Sequence, residues 1–126
     1  MKKSHNLSFA TIIKLDKDLA EVIVNEGVVI DEYMTAEYHD FLQANLTSPF
    51  YLLINKKHSY SYTFEAQKMI ANLPEIKAMA VVVQTFGSII STEALFNVNE
   101  NKHSNVRIFE ERKSALKWLK SYANKE

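Results

Sequence analysis

PFYLLINKKHSYSYTF, residues Pro49 to Phe64, is the stretch whose reading decides the fold. Phe50, Tyr51, Leu52, Leu53 and Ile54 form an apolar run with no polar alternation, too short for a helix. Such a run is expected in a strand covered on both faces inside a parallel sheet. Beyond it the chain turns polar through Lys56, Lys57, His58 and Ser59, and Thr63 then opens a helical pattern. In open α/β sheets, ligands and partners meet the protein beyond the carboxyl ends of the strands. The expected site is therefore the loop His58, Ser59, Tyr60, Ser61, Tyr62 and Thr63.

Working outward, a second apolar run, IKAMAVVV from Ile76 to Val83, predicts another central parallel strand. The segment between carries Thr63 as an N-cap, Glu65 in the first turn, Ala66, Ile70 and Leu73 as an inward stripe, and Pro74 as a stop. Strand, helix and strand make a crossover unit. The turn Gln84-Thr85-Phe86-Gly87-Ser88 follows the second strand, which places Phe86 and Ser88 beside the 58–64 loop. Ile89, Ile90, Ala94, Leu95 and Val98 describe a further helix.

Upstream, Leu7, Phe9, Thr11, Ile13 and Leu15 alternate with period 2, Asp16-Lys17-Asp18 supplies a turn, and Leu19 to Val24 resumes β-branched character. This predicts an antiparallel hairpin, with Asn25-Glu26-Gly27 closing its second strand or forming a bulge and Gly27 at a backbone position needing positive φ. Val28 to Ile30 continues extended. Asp31 is the expected cap of a helix whose inward face is Met34, Tyr38, Phe41 and Leu42, ending before Pro49. At the other end of the chain, Val106 to Phe109 reads as a short strand. The last helix runs from about Glu110 to Ala123, with Ala115, Leu116, Leu119 and Tyr122 inward.

Length and composition bound the function. The 126 residues fit one domain, 1–126, and no second is needed. Lys+Arg and Asp+Glu balance at 15 each, so the whole chain lacks the field that draws phosphate backbones, and nucleic acid is not an expected partner. Without cysteine there is no thiol catalysis, thiolate metal site or disulfide. No stretch approaches a membrane span, and a soluble cytoplasmic protein is the expectation. His5, His39, His58 and His103 are scattered without ligand spacing, so no metal and no cofactor is expected. No catalytic residue is assigned.

Taken together, the chain resembles the SpoIIAA-like group of STAS-fold proteins, also labelled STAS/SEC14-like in bacterial genomes. The opening hairpin carries the resemblance, with the FYLLI strand leading into a Ser/Tyr/Thr segment and a helix, and the KAMAVVV strand. So does the close, Arg107-Ile108-Phe109 followed by Ala115-Leu116-Lys117-Trp118-Leu119. It implies an α/β mixed sheet of about five strands, antiparallel at the N-terminal hairpin and parallel at its centre, with about four flanking helices. It also implies a non-enzymatic regulatory or protein-binding module. Anti-sigma-factor antagonists of that family carry an Asp-Ser-Ser-Gly type of segment with a phosphorylated serine. Here the matching Tyr60-Ser61-Tyr62-Thr63-Phe64 lacks the aspartate and the glycine, so Ser61 and Thr63 keep hydroxyls without the motif.

Several readings stay open on these residues. The hydroxyls of Ser59, Ser61 and Thr63 are either phospho-acceptors or a simple cap and solvated loop. Tyr60, Tyr62, Phe64 and Phe86 are either an aromatic contact rim or ordinary packing. The expected partner is a protein, with a small apolar or lipid-like ligand as the alternative, in which the helix Ile89 to Val98 serves as a movable cover. Exposed apolar residues on the last two helices would support a homodimer.

Overall fold

The computed structural model describes residues 3–83 and 105–124. Its centre is a six-stranded sheet in the order β1-β2-β3-β5-β7-β8. Strands β1 (Lys3–Asn6), β2 (Ala10–Asp16) and β3 (Leu19–Val24) pair antiparallel. From β3 onward the ladder is parallel through β5 (Phe50–Asn55), β7 (Ile76–Val82) and β8 (Asn105–Phe109). A separate two-stranded parallel ribbon joins β4 (Val29–Ile30) to β6 (Ser61–Tyr62). The helices are α1 (Glu32–Asn45), α2 (Phe64–Met69) and α3 (Arg112–Asn124).

The apolar run at the heart of the chain is a strand buried on both faces. Phe50 and Leu52 join the core that also holds Tyr38 and Leu42 of α1 and Ala66 of α2. Tyr51 and Leu53 join the opposite core with Ala115 and Leu119 of α3. Residue alternation along one strand thus feeds two hydrophobic layers, which explains the absence of polar alternation in its sequence. In β7 the same division sends Ile76 and Met79 to the α1 side and Ala78, Ala80 and Val82 to the α3 side. The small alanines there leave room for α3 to lie close to the sheet.

The local signals act as the residue chemistry demands. Asp31 accepts the Met34 amide at 2.9 Å and Thr63 the Ala66 amide at 3.2 Å, each satisfying an amide without an intrahelical partner. Gly27 has φ 79°, a conformation costly to any residue with a Cβ. Its amide donates to Ser59 O at 2.7 Å, which starts the β4–β6 ribbon.

The structure differs from the expected architecture in its strand number and in its helix number. The sheet has six strands, because Lys3 to Asn6 forms an edge strand with no apolar pattern to announce it. Lysine and short polar side chains suit such an edge, whose exposed backbone groups invite unwanted pairing. Among the described residues there are three helices, where about four were expected; the helix expected over Ile89 to Val98 lies outside them. In β2 the more deeply buried face is Ala10 and Ile12, not Thr11, Ile13 and Leu15, since α1 and α2 cover that side. The large, well-exposed apolar side chains among the described residues are Val29, Tyr33, Phe64 and Met69, and none of them lies on α3.

Candidate functional site

A cavity opens on the α1/α2 face of the sheet at the carboxyl ends of β3, β5 and β7. Val22 and Val24, Ile54 and Lys56, and Met79 and Val81 form its floor, strand by strand. Ile30, Tyr60 and Tyr62 of the ribbon and its approach, Tyr38 of α1, and Ile70 and Ala71 after α2 form the roof, with Phe9 beside them. The space open to the centre of a water-sized sphere is about 40 Å³, within about 540 Å³ of empty space that includes solvent at the mouth. A single water needs roughly 10–15 Å³ on the first measure, so this space takes about three waters or part of a small molecule.

The ribbon explains how the 58–64 segment becomes a wall of this cavity. Ser61 donates its amide to Val28 O at 3.0 Å and Thr63 to Ile30 O at 2.8 Å. Ser59 donates its amide to Glu26 Oε1 at 3.1 Å. A strand held this way projects alternate residues to opposite sides. Tyr60 and Tyr62 therefore face inward together, while Ser59 and Ser61 are exposed and Phe64, at the start of α2, is 62% exposed.

The two tyrosines meet edge to face with ring centroids 5.7 Å apart. Tyr60 donates its hydroxyl to the Tyr62 oxygen, the direction in which a hydrogen bond raises the donor's pKa and lowers the acceptor's. Burial, the larger effect, still pushes the Tyr62 phenol up to about 12. It pushes Tyr60 well above the usual tyrosine range, with Tyr62 and Tyr38 adding to the shift. Tyr38, only 4% exposed, is raised by burial and then by Tyr62. Its hydroxyl makes no hydrogen bond among the described residues, although buried phenols ordinarily have a partner.

Lys56 supplies the cavity's charge. Its Nζ lies 4.9 Å from the Tyr60 ring centroid, a cation–π contact, and burial lowers its pKa. The described lining contains no carboxylate. His39 on α1 donates from Nε2 to Ile70 O at 3.0 Å, which fixes the roof after the short α2.

The residues singled out by sequence thus divide. Tyr60 and Tyr62 line the cavity. Thr63 caps α2, its oxygen engaged by the Ala66 amide, and Ser59 and Ser61 point away. His58, with a side chain 37% exposed, stands 3.9 Å from Glu26 at the outer edge. Phe86 and Ser88 lie outside the described residues. Tyr38 and Lys56 were not counted as site residues. Tyr38 reads as helix core by its spacing, and Lys56, with Lys57, reads either as a draw for an anionic headgroup or phosphate or as a solvated lysine. No group of three or more potential metal ligands gathers among the described residues. No described helix is long and apolar enough to cross a membrane.

Compared with known families and curated proteins, the sequence matches none. Among solved structures, an uncharacterised protein of the DUF3478 family from Shewanella loihica PV-4, described as having a SpoIIAA-like fold, superposes with a TM-score of 0.53. The match covers 94% of this chain and 92% of that one at 12% sequence identity. At this identity the likeness speaks for architecture alone, and with the mixed sheet and its order it shows that the chain has the SpoIIAA-like α/β fold.

Proposed function

We propose that this protein is a non-enzymatic binding module whose site is the cavity under Tyr38, Tyr60 and Tyr62, and that its ligand is a small, largely apolar molecule. The observation that carries this reading is an open cavity with aliphatic walls at the carboxyl ends of three parallel strands. Such a cavity exposes apolar surface that a ligand covers at a gain of roughly 25 cal/mol per Å². The test is native mass spectrometry of protein isolated gently from its own cells, beside an Ala71→Met variant that fills the cavity from its lining. A bound molecule of defined mass, reduced or lost in the variant, is expected. A bare wild-type chain that also takes up no added hexanol overturns the proposal.

A second reading, a protein-binding surface, draws on Val29, Tyr33, Phe64 and Met69. These are exposed on β4, the first turn of α1 and α2, elements tied together by the ribbon. Exposed apolar residues grouped on neighbouring elements favour contact with a partner. The aromatic contribution to such a surface comes from Tyr33 and Phe64, since Tyr60 and Tyr62 face inward. Pull-down from the native cell is expected to recover a partner that Tyr33→Ser with Phe64→Ser releases. Equal recovery by the double variant contradicts this reading.

A further inference from the structure

The aliphatic walls of the cavity, Val22, Ile54, Met79 and Val81, meet three phenols at one side. Tyr38 is 4% exposed, and its hydroxyl has no hydrogen-bond partner among the described residues. A structural tyrosine buried this deeply ordinarily has one, and a phenylalanine would fill the same place if the ring alone were needed. Tyr62 stands near enough to raise the Tyr38 pKa further, with no hydrogen bond between the two. Burial keeps both phenols protonated far past neutral pH, so each presents an O–H. Tyr62 accepts from Tyr60, which leaves its own proton to donate onward. An acceptor entering the cavity removes the penalty of the unmatched hydroxyl.

We infer, building on the ligand-binding reading, that the cavity selects an uncharged ketone, its alkyl chain against the strand floor and its carbonyl oxygen accepting from Tyr38 and Tyr62. A carbonyl oxygen has two lone pairs for two O–H donors and brings no proton that needs an acceptor. A hydrocarbon of the same shape leaves the Tyr38 hydroxyl unmatched, and a site with buried polar groups discriminates against the analogue that leaves them unpaired. The phenols are neutral, so a dipole satisfies them without carrying a charge into a largely apolar space. With about 40 Å³ open to the centre of a water-sized sphere, the site takes one end of such a molecule. The carbonyl therefore stands near a chain end, as in a methyl ketone.

The test is titration near neutral pH with two probes of one shape, methyl butyl ketone and the alkene in which a methylene group replaces its oxygen, followed through the methyl resonances of the lining. Tyr38→Phe is expected to weaken the ketone about fivefold, the worth of one net hydrogen bond, while leaving the alkene within about twofold. A dispersed methyl spectrum of the variant shows that it is folded. In the infrared, the carbonyl stretch of the bound ketone is expected at lower frequency in the wild type than in Tyr38→Phe, because an accepted hydrogen bond weakens the C=O bond. Unchanged ketone affinity in the variant, or equal loss of both probes by the folded variant, overturns the ketone inference and leaves the binding module standing. Failure of both probes to bind the wild type overturns both.

Discussion

Arg112, in the first turn of α3, donates through Nε and Nη2 to Glu21, a residue 91 positions earlier on β3, with the shortest contact 2.7 Å. Glu21 is 3% exposed and also accepts from Asn55 Nδ2 at 2.9 Å. The hydrogen bond to Glu21 raises the Arg112 pKa, so the guanidinium stays charged beside its partner. The pair joins the end of the chain to the N-terminal hairpin across the α3 face. Removing Arg112 leaves the carboxylate buried with less compensation, which costs 3–5 kcal/mol in fully buried pairs. The Arg112 side chain is 41% exposed and Asn55 still donates, so Arg112→Ala is expected to cost about 2 kcal/mol in urea denaturation. Replacing both residues with leucine is expected to recover at least half of that loss.

Tyr38 and Tyr60 are expected to behave oppositely when their hydroxyls are removed. Tyr38→Phe deletes a buried group with no hydrogen-bond partner among the described residues and is expected to raise the stability of the protein by about 1 kcal/mol. Tyr60→Phe deletes the donor to Tyr62 and is expected to lower stability by about 1 kcal/mol. Urea midpoints of the two variants, taken without ligand, check the signs. A destabilised Tyr38→Phe protein would mean that its hydroxyl is satisfied in solution.

The same cluster makes the fold sensitive to alkali. The Tyr62 phenol moves from 10 in the unfolded chain to about 12 in the fold, so its contribution is fully present below pH 10 and lost as pH rises toward 12. Tyr38 and Tyr60 shift in the same direction. Each proton lost only on unfolding costs about 1.4 kcal/mol per pH unit in that window. Stability measured across it is expected to fall steeply, and Tyr62→Phe is expected to flatten the slope.

Gly27 is a purely backbone requirement. A methyl group added there meets nothing within 4 Å, yet φ stays at 79°. Gly27→Ala is therefore expected to cost about 1–2 kcal/mol through conformation alone, and Gly27→Asn less, because asparagine tolerates the left-handed region. Thermal melts of the two variants against wild type provide the check.

Much of this architecture is legible in the residues because two-sided burial writes itself into composition. FYLLI and KAMAVVV are continuous because both faces of β5 and β7 are covered, and Asp31, Thr63 and Gly27 announce caps and a turn by their own chemistry. Strand β1 was hidden because an exposed edge needs no apolar alternation. The 58–64 segment is a nearer miss. Ser59, Tyr60, Ser61 and Tyr62 alternate with period 2, the mark of a half-covered strand, but with two paired residues β6 is short enough to pass for a loop. Its partner Val29–Ile30 lies 32 residues earlier in register, and no local signal reports that pairing. Tyr38 fits a helix core stripe equally well whether its hydroxyl meets a neighbour or a cavity. Lys56 looks solvated until the Tyr60 ring is placed beside it.

The measurement that bears most directly on the cavity as a binding site is a hexanol titration followed through methyl resonances. The methyl groups of Ile54, Ile70, Met79 and Val81 line the cavity, whereas Leu53 and Leu119 lie in the core on the α3 face and serve as controls. Saturable shifts of the four lining residues, with Leu53 and Leu119 still, are the expected result. Shifts absent from the lining methyls, or spread evenly over both faces, would contradict a ligand site beneath Tyr38, Tyr60 and Tyr62.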